Sequence, residues 1–121
     1  MNESDAHELL DTLLECPQLK KPDVVDRLRI TQQVLYVLDR LAAHPGSTGN
    51  EVVHAAPTNS ATGLPAIMSR LRNGGYLVDG AYTDGGYQRS LSQAGEMLHR
   101  FVHEALQITG RTLPGGTDPR V

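Results

Sequence analysis

A chain of 121 residues with a formal net charge of -3 and 39% hydrophobic residues favours one small domain with a core of modest size. No apolar run approaches the roughly 20 residues that cross a bilayer, and Asn2, Glu3, Ser4 and Asp5 are unlike the basic start of a secretory signal. A lone Cys16 cannot make an internal disulfide or a zinc site, and nothing marks it as an activated redox thiol, so the expected location is cytoplasmic.

The charge is unevenly spread. Residues 1–26 carry seven acids against Lys20 and Lys21. Residues 27–92 carry six arginines against Asp39, Glu51, Asp79 and Asp84, and residues 93–121 balance. An acidic N-terminal extension therefore precedes a mildly basic centre, a thin signal for a polyanionic partner.

Ala6, Leu9, Leu10, Leu13 and Leu14 recur at helical spacing and predict a helix over about 5–15, with Ser4 as its cap and Pro17 as its stop. Val24, Val25 and Leu28 suit a short second helix after Pro22. Thr31 caps the next, whose stripe of Val34, Leu35, Leu38, Leu41 and Ala42 stops before Pro45-Gly46. Thr48 and Glu51 spell a capping box for a helix over 49–56. After a turn at 57–60, Leu64, Ile67, Met68 and Leu71 mark a helix over 62–73, in which Pro65 is harmless only within the first turn. It should stop at Gly74-Gly75.

Residues 76–91 read as a hairpin turning at Asp84-Gly85-Gly86. Ser92 then caps a last helix over 93–109, apolar at Met97, Leu98, Phe101, Val102, Ala105 and Ile108 and ended by Gly110. The Gly- and Pro-rich residues 110–121 read as a disordered tail. The expected fold class is mainly α with a small β-hairpin wing: a winged helix-turn-helix with N- and C-terminal dimerisation helices. The chain divides into an acidic helical extension (1–29), the winged segment (30–92), the last helix (93–109) and the tail.

Helix, short helix, turn, helix, hairpin, long helix is an order that suits major-groove binding, with the helix over 62–73 as the reader. Its outward face, at 100° per residue, is Thr62, Ala66, Ser69, Arg70 and Asn73, with Arg72 at the flank. Arg70 suits guanine or phosphate, and Arg72 the backbone. Arg89 either meets phosphate or pairs with Asp79 across the hairpin. Tyr82 and Tyr87 are expected to pack on the base of the wing.

Two runs carry a resemblance. Ile67-Met68-Ser69-Arg70-Leu71-Arg72-Asn73-Gly74-Gly75-Tyr76-Leu77 and Leu91-Ser92-Gln93-Ala94-Gly95, following the helix from Ile30-Thr31 to Gly46, are similar to PadR-type transcriptional regulators, cousins of the MarR proteins. The resemblance covers about residues 30–105. It implies a bacterial repressor acting on double-stranded DNA as a homodimer, with room for a small-molecule effector. The hairpin departs from the family in being short and almost uncharged, and the first helix is not a standard family feature.

The dimer is expected through Met97, Phe101 and Ile108 with help from Leu9 and Leu13, because so wide an apolar face exceeds what one small domain buries. His99 and His103 stand four apart, a metal-binding spacing. No third ligand is evident, although His7 could lie near, so they read as an exposed pair and no metal or other cofactor is expected. No phosphate loop, nucleophile elbow or catalytic pair is present, so no enzyme activity is expected. The alternative reading is a winged-helix module for protein contacts.

Overall fold

The structure, a computed structural model, describes residues 1–14, 30–57 and 63–114. The short helix expected after Pro22, the turn at 58–60, Thr62 and Cys16 lie outside them, as do residues 115–121. Among the described residues the chain is mainly helical, with a small three-stranded antiparallel sheet.

Helix α1 spans Glu3–Leu14. Its N-terminus is held by Asn2, not Ser4: the Asn2 Oδ1 accepts from the Asp5 amide at 2.7 Å. Asparagine serves this position as well as serine does, and starting here sets Glu3 and Asp5 in the first turn, where the helix dipole favours acids. Helix α2, Gln32–Ala43, begins at Thr31, whose Oγ1 accepts from the Val34 amide at 3.2 Å. It turns Val34, Val37, Leu38 and Leu41 inward.

Strand β1, Ser47–Thr48, is an element the periodicity did not announce. It pairs antiparallel with β3, Ser47 opposite Arg89 and Thr48 opposite Gln88. Thr48 also caps helix α3, Gly49–His54, through the full capping box: its Oγ1 accepts from the Glu51 amide at 3.2 Å, and its own amide donates to Glu51 Oε1 at 3.1 Å. The helix ends two residues earlier than expected, at His54. Tyr36 of α2 donates its hydroxyl to the Val52 carbonyl at 2.6 Å and so ties α2 to α3. Burial raises the Tyr36 phenol, with Arg40 pulling the other way.

The Thr48 amide and then its hydroxyl stabilise the Glu51 carboxylate and lower its pKa. A lowered folded pKa adds stability above the unfolded glutamate range and loses it as pH falls through the folded value. Thr48→Ala is expected to cost about 1 kcal/mol, and Glu51→Gln to flatten the acidic limb of the stability curve. Denaturant midpoints measured across mildly acidic pH check both.

Helix α4, Leu64–Asn73, starts two residues later than expected, after Gly63 in the left-handed conformation, and it keeps Pro65 in its first turn. Leu64, Met68 and Leu71 are buried and Ile67 is half-buried. The helix stops as Gly75 turns left-handed at φ 84° and the Tyr76 amide reaches back to the Leu71 carbonyl at 2.9 Å.

Strands β2, Leu77–Thr83, and β3, Gly86–Leu91, form the hairpin, giving the sheet order β1-β3-β2. Its register slips between Asp79 and Tyr82. Helix α5, Gln93–Thr109, is capped by Ser92 and closed by left-handed Gly110. No described helix is long and apolar enough to cross a membrane.

One apolar cluster runs from Ala6 to Leu113. Helix α1 packs along α5, and Ala6 and Leu10 are fully buried there. The tail departs from expectation over residues 111–114. Leu113 is buried, and its carbonyl and that of Pro114 accept from the Gln32 side chain and amide at 3.1 and 3.0 Å. One leucine with a backbone acceptor beside an unfilled helix N-terminus outweighs the Gly- and Pro-rich composition around it.

Candidate nucleic-acid interface

Burying Leu64, Met68 and Leu71 leaves the opposite side of α4 to solvent, where Ala66, Ser69, Arg70 and Asn73 are all exposed. Arg70 makes no ion pair or side-chain hydrogen bond among the described residues. Ser69 also borders a shallow groove of about 250 Å3, shared with Asn50 of α3, Pro65, and Tyr87 and Arg89 of β3. The groove therefore runs between the hairpin and the N-terminal parts of α3 and α4. Gly85 at the hairpin tip approaches Thr48 so closely that an added Cβ would meet Oγ1 at 2.9 Å.

The other two arginines are engaged. Arg72 Nη1 lies 3.0 Å from Asp79 Oδ2, and Arg89 Nε lies 3.6 Å from Asp79 Oδ1. The cross-hairpin pair was one of two readings of Arg89. Its side chain is only 17% exposed, and its Nε and Nη1 are shielded without a hydrogen-bond partner among the described residues. Asp79 thus offsets two cations beside α4. Sequence reasoning missed the second, because the register that brings Asp79 to Arg72 depends on how α4 meets β2.

Tyr82 and Tyr87 do not pack on the base of the hairpin. They stand opposite each other near its tip, edge to face with centroids 5.0 Å apart, and Tyr82 remains 71% exposed. The register slips just before Tyr82, and β2 is exposed from Val78 through Tyr82.

Met97, Phe101 and Ile108 form an exposed apolar stripe on α5, each between 37% and 40% accessible. Leu9 and Leu13 are half-buried against the core of their own chain.

The histidine pair has a third companion. Asp39 Oδ1 of α2 lies 2.7 Å from His99 Nε2 and 2.5 Å from His103 Nε2. His7 lies elsewhere, beside Glu3 and Arg111. Asp39 is 60 residues from His99, and no local pattern joins them.

Comparison with known proteins finds no matching family model, no matching curated protein and no matching solved structure.

Proposed function

We propose that the chain is a winged helix-turn-helix protein that binds double-stranded DNA as a homodimer and regulates transcription, with α4 in the major groove and the β2–β3 hairpin on the flanking backbone. The observation that carries this reading is the closure of β1 onto β3. It anchors β3 beside the start of α3, and the hairpin tip and the Ser69 side of α4 border one groove. Ser69, Arg70 and Asn73 supply hydrogen-bonding groups to that face, a set suited to base edges and phosphates. On this reading the chain would be a PadR-type regulator, a kinship carried by the sequence runs 67–77 and 91–95 alone.

The stripe of Met97, Phe101 and Ile108 supports a second copy of the chain as the other half of the assembly. Spread over eleven residues of α5, it is about 16 Å long, and a twofold pair would offer two α4 helices to half-sites about 10 base pairs apart.

Asp79 favours a second reading. A face whose Arg72 and Arg89 are already offset by a carboxylate suits a protein partner better than a polyphosphate.

Arg70→Ala separates the two. On the DNA reading, affinity for an operator selected from a random pool falls by about 1–3 kcal/mol if Arg70 meets guanine. If Arg70 meets phosphate alone, all sequences weaken together and the salt slope drops by about one. Anisotropy titrations across salt, with circular dichroism to confirm folding, measure this. Unchanged affinity, or no salt-dependent binding by the parent chain, leaves the protein-contact reading in possession.

A further inference from the structure

We propose that Asp39, His99 and His103 form a binding site for one divalent transition-metal ion of the zinc class, joining α2 to α5. The ligand atoms are already gathered. His99 and His103 stand one turn apart on α5, their rings edge to face with centroids 4.7 Å apart. Both Nε2 atoms address the same Asp39 oxygen, and the three ligand atoms lie within 4.8 Å of one another. Zinc binds imidazole and carboxylate at about 2.0–2.2 Å, which places neighbouring ligands of a tetrahedron about 3.3 Å apart. From 2.7 and 2.5 Å, each nitrogen and the oxygen need open by less than about 1 Å to admit the ion.

The surroundings allow that adjustment. Side-chain exposures of 25% for His99, 48% for His103 and 45% for Asp39 leave torsional freedom without requiring backbone movement. The two imidazoles are borderline donors and set the preference, so the site suits zinc, cobalt or nickel rather than calcium or magnesium, which favour oxygen alone. His103 and Asp39 are about half exposed, so water can reach the ion and complete the coordination. The two histidines come from one helix and the carboxylate from another, so the ion would bind the folded chain in preference to the unfolded one and raise its stability.

Cobalt(II) is the probe, because its visible absorption reports coordination directly. The full chain, free of any affinity tag, is titrated with cobalt(II) and then with zinc(II) as a competitor. One cobalt per chain is expected, displaced by zinc, with a rise in Tm that a chelator reverses. His103→Gln is expected to weaken cobalt by at least the roughly hundredfold that loss of an outer-shell partner can cost, and His99→Gln with His103→Gln to abolish the absorption while the far-ultraviolet dichroism of the apo protein is unchanged. If the double variant does not fold, His103→Gln alone, at a half-exposed position, reads the same loss. Failure of the parent chain to bind cobalt, or binding that the histidine substitutions leave intact, overturns the proposal and leaves a cluster held by hydrogen bonds alone. None of these readouts depends on DNA binding.

Discussion

Gly95→Ala is expected to destabilise the fold by about 2–3 kcal/mol and to lower Tm by roughly 8–12 °C. The sign is the informative part. In the interior of an exposed helix the same change adds about 1 kcal/mol, because alanine has the higher helix propensity. Here a Cβ on Gly95 would sit 2.1 Å from the Tyr76 carbonyl oxygen and 3.1 Å from its carbon. Both are backbone atoms, so no rotamer relieves the clash, and α5 must lift away from the start of β2. The Ser92 amide donates to that same Tyr76 carbonyl at 3.0 Å, and the Ser92 hydroxyl donates to the Gly75 carbonyl while capping α5. Lifting the first turn therefore strains the cap as well as the packing. Thermal unfolding of the variant measures the effect, and a Tm equal to or above that of the parent would show that the helix does not approach the strand this closely.

Three of the helices were legible from their caps, whereas Ser4, read as the cap of α1, gives way to Asn2. Thr31, Thr48 with Glu51, and Ser92 all act within three residues of where they stand, so sequence alone locates the helix starts. Strand β1 was not legible: two residues have no periodicity, and Ser47 and Thr48 become a strand only because Arg89 and Gln88 arrive from 42 and 40 residues away. The candidate interface divides in the same manner. The outward face of α4 follows from helical geometry once Leu64, Met68 and Leu71 are buried. The engagement of Arg72 and Arg89 by Asp79, and of both histidines by Asp39, needs tertiary register. Buried Leu113 carries the converse lesson, since composition described the tail while a single side chain decided its first residues.

An amphipathic helix announces that it needs a cover and says nothing of whether the cover belongs to the same chain. For α1 the sequence expectation was help with the dimer. Its Leu10 is fully buried against its own chain, and Asp11 adds an ion pair to Arg111 at 2.8 Å. Leu10→Ala is therefore expected to cost about 2–5 kcal/mol through lost apolar burial and a residual cavity, a large share of the roughly 5–15 kcal/mol that holds a small domain folded. That loss should be the same at every protein concentration, because the contact is within one chain. Phe101→Asp should behave in the opposite way. Its ring is 37% exposed on the α5 stripe, so the single chain loses less from the change. A dimer built on that stripe, however, would bury two facing carboxylates without partners. Sedimentation should show a monomer, and Tm should lose the concentration dependence that a dimer confers. Denaturant unfolding at several protein concentrations, run on both variants, separates folding from assembly. A Leu10→Ala chain that keeps its stability when dilute but dissociates readily would place α1 in the interface. A Phe101→Asp chain that sediments as an unaltered dimer would take the α5 stripe out of it.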